Sequence, residues 1–344
     1  MSEIRYDPIL DEYSVIAPER LHRPDCYAPA EKKRRKKIRE CPFCEGHESM
    51  TPPEIFAIRE NDPDTPGWKT RVVPNLYKAV KIEAPWSMHE RGVYRVWDGF
   101  GAHEVIIDTP HHRLRMDEWS EEEYFNWLYT MRARLNDLRN DIRLLYIGLF
   151  KNHGHYGAAT QQHPHTQLIA LPAPPLGSLR QIRHARSFFR EHGRSLFDAL
   201  LASEREEGDR IVAESPGFTV LSPYASGFAF ETAIYSKKRV SDLGGLSDSD
   251  LHELARLTKK VIAALYIQLG DFDFNITLNT PPLQKNFATE EFFDDIPDIW
   301  RLGIRIVPRL FRLGGFELGS GMQINPVAPE EAASLLRESI EEMR

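Results

Sequence analysis

The sequence predicts an α+β fold in which an antiparallel sheet carries helices on one side. Two observations predict it: strands precede amphipathic helices, and the same succession occurs twice along the chain. A strand at residues 104–107 leads to a helix that begins after Ser120. A strand at residues 231–234 leads, after the same separation, to a helix that begins after Ser247. The chain is therefore predicted to contain a degenerate internal repeat.

Both predicted helices begin with a capping box. Ser120 is followed three residues later by Glu123, and Ser247 by Asp250. Apolar residues then recur at helical spacing, which predicts stripes that pack in the core rather than a cofactor site. These stripes are Tyr124, Trp127, Leu128, Met131 and Leu135 in the first helix and Leu251, Leu254, Leu257, Val261 and Leu265 in the second. Further strands are predicted before each unit, at residues 71–75 and 218–223.

Length indicates two packed units, because a chain of 344 residues exceeds the roughly 250–300 residues at which single cores stop growing. We predict one unit at residues 1–175 and the other at residues 176–344. The net charge of −7 disfavours non-specific nucleic-acid binding, and the basic run at residues 32–37 is predicted to be a solvated loop.

Hydropathy and cysteine content further limit the classes of protein to which this chain can belong. No apolar stretch approaches the roughly 20 residues that span a bilayer, and the N-terminus lacks a signal-peptide core, so we expect no membrane partner and a cytoplasmic location. Three cysteines exclude a disulfide framework, which indicates a reducing compartment.

The segment His163-Pro164-His165-Thr166-Gln167 precedes an apolar run. If the segment is a strand, side chains two residues apart share a face, so His163, His165 and Gln167 point to one place. Neutral imidazole serves both as a metal ligand and as a nucleophile. A surface strand that happens to carry histidines is the alternative interpretation.

The segment Cys41-Pro42-Phe43-Cys44 brings two thiols to a spacing that suits one tetrahedral metal ion. Only one other cysteine, Cys26, is present, so histidines must complete such a site. The candidates are His111 and His112, which follow an apolar strand, and His163. A thioredoxin-like redox pair would need a βαβ context, which the proline-rich flanks do not offer.

Four motifs occur in the order that characterises a known family: Cys41-Pro42-Phe43-Cys44, Thr109-Pro110-His111-His112, Phe150-Lys151-Asn152-His153-Gly154 and His163-Pro164-His165-Thr166-Gln167. With them the chain resembles the galactose-1-phosphate uridylyltransferase family of the histidine-triad superfamily. The resemblance extends from Tyr6-Asp7-Pro8 to Ile324-Asn325-Pro326, and residues 314–321 are most similar to a sub-branch that acts as an ADP-glucose phosphorylase. It implies two histidine-triad-like halves that form one extended antiparallel sheet, and a homodimer.

The resemblance assigns one structural Zn²⁺ to Cys41, Cys44, His112 and His163, with His111 as the alternative third ligand. A second metal site of the family is expected to be absent. Gln181 stands at the carboxylate position, Ser195 and Asp198 lie where thiols are expected, and no histidine follows His252.

The second half is expected to be catalytically silent. Arg239 stands where His112 stands in the first half, and Ile299 and Arg301 fall near the positions of His163 and His165.

In the chemistry that the resemblance implies, His165 attacks the α-phosphorus of a nucleoside diphosphate sugar. The sugar 1-phosphate leaves, and a nucleotidyl-histidine remains until a phosphate acceptor removes it. Attack requires a neutral ring, so a backbone carbonyl near His163 is expected to hold the proton on Nδ1. Gln167 is expected to hydrogen-bond a phosphoryl oxygen, whereas hydrolytic relatives carry a third histidine at this position.

Substrate contacts are expected along the glycine-rich turn, from Asn152, Gly154, Thr160 and Gln162, because small residues let backbone amides approach phosphate. By resemblance, Arg23 and Asn75 contact phosphate, ribose or base, although each is also compatible with a surface salt bridge or a turn. Glu317 resembles a hexose-binding residue that acts across a dimer interface.

The acceptor is either a hexose 1-phosphate or inorganic phosphate. Galactose-specific members carry a lysine and a tyrosine where this chain has Phe311 and Phe316, which makes an ADP-glucose phosphorylase the alternative. Two other classes remain as hypotheses: a nucleotide hydrolase of the same superfamily, and a non-enzymatic zinc-stabilised binding module that uses the basic run as its contact surface.

Overall fold

The computed structural model describes residues 1–22, 40–112, 115–283 and 294–343. Arg23, Cys26 and the basic run at residues 32–37 therefore lie outside the described residues. The strands are, in chain order, β1 (Glu3–Asp7), β2 (Glu12–Ile16), β3 (Phe56–Arg59), β4 (Trp68–Pro74), β5 (Met88–Arg91), β6 (Tyr94–Trp97), β7 (Ala102–Ile107), β8 (Tyr146–His153), β9 (His165–Leu171), β10 (Ile211–Glu214), β11 (Phe218–Leu221), β12 (Thr232–Ser236), β13 (Phe274–Asn279), β14 (Gly303–Pro308) and β15 (Gln323–Asn325).

The helices are α1 (Glu121–Leu138), α2 (Leu176–His192), α3 (Leu196–Glu207), α4 (Asp248–Leu269), α5 (Ile296–Ile299), α6 (Gly315–Ser320) and α7 (Pro329–Glu342). Short 3-10 helices lie at Pro18–His22, Glu48–Met50, Met116–Glu118 and Leu243–Gly245. Within the described residues, no helix combines the length and the apolar character that crossing a membrane requires.

One ten-stranded sheet organises the molecule, in the order β10-β11-β12-β14-β13-β8-β9-β7-β4-β3. Every pairing in it is antiparallel. The order β3-β4-β7-β9-β8 of the N-terminal half recurs as β10-β11-β12-β14-β13 in the C-terminal half, and the halves meet where β8 pairs with β13. The fold of two like halves in one extended sheet is therefore confirmed. The boundary at residue 175 stays a prediction; in the structure it falls between β9 and α2.

Helices α1 and α4 pack side by side on one face of this sheet. Their predicted apolar stripes are confirmed, because all of the stripe residues are buried in the largest hydrophobic cluster. Both predicted capping boxes are also present, at Ser120 with Glu123 and at Ser247 with Asp250. Each fully buried large side chain contributes roughly 1.5–3 kcal/mol, so these stripes fix the helices to the sheet.

Among the described residues, the opposite face is covered at its two ends. At the C-terminal end, α2, α3 and α5 bury Leu221, Ala233 and Tyr235. The expectation of helices on one side is therefore wrong here, because β11 and β12 present a second apolar face that must be covered. At the N-terminal end a smaller cluster, Trp68, Val73, Val105 and Ile107, packs against Phe43 of the cysteine loop.

Between these two covered ends the sheet is open. Asn152, Gln167 and Asn275 are half-buried on β8, β9 and β13, and Thr277 is exposed although its strand is central. Polar side chains on the middle strands of a sheet indicate a surface that faces solvent or a ligand rather than a core.

Two smaller sheets complete the fold. In one, β1 pairs antiparallel with β2 and β15 pairs parallel with β2, so the C-terminal segment is held against the N-terminus. The other is the hairpin of β5 and β6, whose residues are exposed.

Candidate functional site

The histidine segment lies where β9 begins. His165 is the first residue of the strand and pairs with Ile107 of β7, while Gln167 pairs with Val105. His165 and Gln167 therefore share the open face of the sheet. His163 and Pro164 precede the strand, which corrects the prediction that the strand includes them. Because Pro164 lies outside the ladder, its missing N–H group costs no sheet hydrogen bond.

Four side chains converge beside the start of β9. The ligand atoms of Cys41, Cys44, His112 and His163 all lie within 4.8 Å of one another. The Sγ of Cys44 is 3.5 Å from Nδ1 of His112 and 3.6 Å from Nδ1 of His163. The Sγ of Cys41 is 3.7 Å from the same His163 nitrogen. These are the four residues that the family resemblance assigned to a metal.

The donor set fits Zn²⁺. Bond lengths of about 2.3 Å to sulfur and about 2.0 Å to nitrogen in a tetrahedron place sulfur and nitrogen about 3.5 Å apart, close to the separations of 3.5–3.7 Å found here. His163 also presents the correct nitrogen. Its Nε2 donates to the carbonyl oxygen of Thr109 at 2.8 Å, so the lone pair of Nδ1 faces the sulfur atoms.

Electrostatics at the cluster favour a cation. Burial, and then the neighbouring charge of Cys41, raises the pKa of the Cys44 thiol to about 11. Burial lowers the pKa of His163 to about 4, so this ring is neutral near pH 7, and burial also lowers the pKa of His112. Two adjacent sulfur atoms and two neutral rings suit a dication, whose charge stabilises the thiolates.

His111 takes a different position from its neighbour. Its side chain is outside the cluster, and its backbone N–H donates to the Thr109 hydroxyl at 3.3 Å. The structure therefore brings His112 rather than His111 to the two cysteines.

His165 is buried, and its protonation is set by the backbone. Its Nδ1 lies 2.9 Å from the carbonyl oxygen of His163, to which it donates. The carbonyl expected from the sequence is thus present, and it leaves the lone pair of Nε2 available. Burial lowers the pKa of the His165 ring, which favours this neutral form. Phe43 of the cysteine loop contacts the ring, with centroids 5.7 Å apart.

The backbone around His165 is fixed by a buried ion pair that the sequence analysis missed. Lys151 on β8 donates to Asp108 at 2.5 Å and to the carbonyl oxygen of His165 at 3.3 Å. The Asp108 N–H in turn donates to the carbonyl oxygen of Pro164 at 3.2 Å. A lysine and an aspartate within apolar strand sequence were the available signal, because such residues are rarely buried unless paired.

His103, a second residue that sequence reasoning missed, lies between Gln167 and Asn75. The Nε2 of His103 lies 3.1 Å from Oε1 of Gln167 and 3.0 Å from Nδ2 of Asn75. Asn75 also lines a cleft of about 740 Å³ with Tyr77, Lys78 and Lys81. The alternation of His103 with Val105 and Ile107 on β7 was the signal that places its ring on the open face.

The glycine-rich turn joins β8 to β9. Gly154 has φ +75°, and a β-carbon there would lie 1.8 Å from Oδ1 of Asp273. The other oxygen of Asp273 accepts the backbone N–H of Tyr156 at 2.6 Å. Glycine at 154 thus lets the turn close around this carboxylate.

Asn275 braces the same turn. Its Nδ2 donates to Oδ1 of Asn152 at 2.8 Å and to the carbonyl oxygen of Gly157 at 2.9 Å. Thr160 and Gln162 are exposed in the part of the turn that leads to His163.

Glu317 makes a local contact at the start of α6. Its Oε2 accepts the backbone N–H of Gly314 at 2.9 Å and so caps the short helix α6. Two residues lie at the positions where the family has its second metal site: Ser195 caps α3, and Asp198 pairs with Arg301. The absence of a second metal stays a prediction.

The chain matches known proteins along most of its length. Residues 1–175 match the family model described as galactose-1-phosphate uridyl transferase, N-terminal domain. The chain is 31% identical over 339 residues to an ADP-glucose phosphorylase of Arabidopsis thaliana, covering 98% of this chain and 92% of that protein. It is 28% identical to a galactose-1-phosphate uridylyltransferase of Thermotoga maritima, covering 98% and 99%. A crystal structure of an Arabidopsis thaliana ADP-glucose phosphorylase with bound ADP-glucose superposes with a TM-score of 0.80 at 28% identity, covering 98% of this chain and 99% of that one.

Proposed function

This chain belongs to the galactose-1-phosphate uridylyltransferase family, a family of transferases, and on that premise we propose that it moves a nucleoside monophosphate by way of His165. The donor is a nucleoside diphosphate hexose and the acceptor is a hexose 1-phosphate. The two half-reactions follow one another at the same ring, so the kinetics are ping-pong.

The tautomer of His165 is the observation that carries this proposal. Because Nδ1 donates to the carbonyl oxygen of His163, Nε2 has a lone pair that can attack. Nε2 forms a bond to the α-phosphorus of the donor, and the bond between that phosphorus and the bridging oxygen breaks. The hexose 1-phosphate leaves with the electron pair. In the second half-reaction, an oxygen of the acceptor attacks the same phosphorus and the bond to Nε2 breaks.

Gln167 binds the phosphoryl group that His165 attacks in the proposed mechanism. Its amide donates a hydrogen bond to a phosphoryl oxygen and so stabilises charge that develops in the transition state. An amide cannot protonate a leaving group as the third histidine of hydrolytic relatives can. A hexose 1-phosphate needs no such acid, and the intermediate therefore persists until an acceptor arrives.

Cys41, Cys44, His112 and His163 hold the zinc ion in the proposed enzyme. When bound, the ion supplies a structural cross-link between the cysteine loop and the segment that leads into β9. With four protein ligands the site is closed. The residues of this chain, and not a metal-bound water, therefore carry the chemistry.

The remaining substrate contacts are proposed around the same face. The turn with Asn152, Gly154, Thr160 and Gln162 receives the phosphates, and Asn75 at the rim of its cleft contacts ribose or base. Arg23 is proposed as a phosphate contact from the resemblance alone. Glu317 is proposed to bind the hexose in the neighbouring subunit of a homodimer. We place the enzyme in the cytoplasm.

A second candidate is supported by specific observations. Phe311 and Phe316 replace the lysine and tyrosine of galactose-specific members, which removes a cation and a phenol from the proposed acceptor site. The 31% identity to an ADP-glucose phosphorylase is consistent with that change. In this candidate the donor is ADP-glucose and the acceptor is inorganic phosphate, while the covalent intermediate and its residues stay the same.

Intact-mass measurement tests both candidates. The protein is incubated with UDP-glucose or ADP-glucose, and the added mass identifies the nucleotide that becomes attached. Galactose 1-phosphate or orthophosphate is then added, and the acceptor that restores the unmodified mass is identified. Sustained release of nucleoside monophosphate without an acceptor would contradict the transferase and support a hydrolase. Failure of both donors to form an adduct would contradict the covalent mechanism.

A further inference from the structure

His103 is a buried histidine that the proposed reaction does not use. It lies on β7 with 9% of its surface exposed, opposite Ile169 of β9 and diagonal to Gln167. Three groups surround its ring nitrogens. The backbone N–H of Ala79 is 3.0 Å from Nδ1, and the side chains of Gln167 and Asn75 approach Nε2 at 3.1 Å and 3.0 Å.

These contacts determine which nitrogen carries the proton. A backbone N–H can only donate, so Nδ1 of His103 must accept from Ala79 and a neutral ring must carry its proton on Nε2. The Gln167 atom that faces Nε2 must then be the carboxamide oxygen, as the geometry has it. The amide nitrogen of Gln167 therefore points away from His103.

Asn75 does not compete for this proton. Its Oδ1 already accepts the backbone N–H of Tyr77 at 2.8 Å, so its NH₂ group faces Nε2 of His103. Two donors cannot bond to each other, and the Nε2–H of His103 therefore goes to Gln167.

We propose that His103 is a positioning residue that locks the amide of Gln167 with its N–H donors toward the phosphoryl group, an inference that rests on the proposed function. An unrestrained glutamine amide has two orientations, and in the wrong one its oxygen would face an anionic phosphoryl oxygen. His103 removes that orientation before substrate binds. Its contribution therefore lies in the rate of transfer rather than in the affinity for the donor.

A matched pair of substitutions tests the proposal. In His103→Asn, the amide oxygen can take the place of Nδ1 and accept from Ala79, but no group replaces Nε2. In His103→Gln, the longer side chain places an amide near the position of Nε2, where it can donate to Gln167. We expect H103N to slow formation of the nucleotidyl-histidine about tenfold, with the dissociation constant of the donor changed less than twofold. H103Q should recover most of the rate.

The same substitutions in a Gln167→Ala background separate positioning from general structural damage. Without the amide, H103N should cause no further loss of rate, so the two effects should not multiply. Multiplicative effects, or an H103Q variant as slow as H103N, would overturn the inference while leaving the proposed function intact. If the unaltered protein forms no nucleotidyl-histidine with either UDP-glucose or ADP-glucose, the proposed function fails and the inference fails with it.

Discussion

The first residues of β9 and β14 allow a direct comparison of the two halves. Each strand occupies the same place in its half of the sheet, next to β7 or β12. In the N-terminal half the strand begins with His165, and Gln167 follows on the same face. In the C-terminal half it begins with Gly303, and Arg305 follows. Equivalent backbone positions thus carry an imidazole and an amide in one half, and a glycine and a guanidinium in the other.

Three arginines of the C-terminal half pair with carboxylates. Arg301 donates to Asp198 at 2.6 Å and 3.0 Å, and Arg239, at the position expected for His112, pairs with Asp298. Arg305 donates to the buried Glu231 at 2.8 Å. A guanidinium has no lone pair with which to attack phosphorus or bind a metal ion. At the compared positions the N-terminal half carries the proposed nucleophile and metal ligands, whereas the C-terminal half carries ion-paired arginines, as expected for a catalytically silent half.

The halves also differ in how the open face is bounded. Helices α2, α3 and α5 cover the C-terminal end with a large apolar cluster that includes Ile299 and Trp300. In the part of the chain that the structure describes, the N-terminal end has a smaller cluster that packs against Phe43, and the four candidate metal ligands lie next to it. The N-terminal half thus has a cluster of four side chains that could bind a metal ion beside its loop, whereas the C-terminal half has packed helices.

The largest expected difference between the halves is in catalysis. His165→Ala should lower nucleotidyl transfer at least about 1000-fold, because no other group replaces the nucleophile. Arg301→Gln should leave the folded protein able to form the adduct, although it loses the ion pair between the buried Arg301 and the exposed Asp198 and becomes less stable. The adduct mass and the transfer rate per folded molecule are to be measured for both variants. An unmodified H165A variant with normal activity would contradict the comparison.

Removal of the metal should have the next largest effect. Cys41→Ser should lose bound zinc, measured by elemental analysis, and lower the free energy of unfolding by several kcal/mol, because metal binding contributes to folding. Asp298→Asn breaks the more exposed ion pair with Arg239 and should cost less than about 1 kcal/mol. Denaturant unfolding measures both variants. Equal losses would show that the N-terminal loop does not depend on its metal.

Gln167 and Arg305, which occupy equivalent strand positions, should separate activity from stability. Gln167→Ala should slow transfer about 10- to 100-fold with little change in unfolding, because the half-buried amide contacts the reacting phosphate in the proposed complex. Arg305→Met should destabilise the protein by about 3 kcal/mol, because it leaves the buried carboxylate of Glu231 without its cation. Its transfer rate per folded molecule should remain within about twofold. A stability loss without a rate loss in Q167A, together with a rate loss without a stability loss in R305M, would contradict the functional distinction between these positions.

The smallest expected effects should be alike in the two halves. Ser120→Ala and Ser247→Ala each remove the cap of a core helix and should each cost about 1 kcal/mol. Chemical denaturation of the single variants measures these costs. A large difference would mean that the two capped helices contribute unequally to the shared core.

Local sequence signals predicted the scaffold well. Capping boxes and helical apolar stripes depend on residues three or four positions apart, so the beginnings of α1 and α4 were predictable from Ser120 and Ser247. The set Cys41, Cys44, His112 and His163 came from the family resemblance, and the structure brings these side chains together.

Register and long-range contacts were not predictable in the same way. The alignment of prolines put Arg301 near the position of His165, but β14 begins two residues later, because strand boundaries depend on pairing with β12 and β13. The contacts of Lys151 with Asp108 and of His103 with Gln167 join residues distant in sequence. The second apolar face of β11 and β12 likewise became evident only once α2 and α3 were placed on it.

The turn at Gly154 and Gly157 has a consequence for any attempt to shorten this protein. Asp273, which directly precedes β13, and Asn275 on β13 shape that turn, and both belong to the half that carries no proposed nucleophile. A fragment ending at residue 175 would retain His165 and the cluster of Cys41, Cys44, His112 and His163, yet it would lack the two side chains that hold this turn in shape. The C-terminal half, which is expected to be catalytically silent, would therefore still be needed, because its side chains determine the shape of a turn in the N-terminal half.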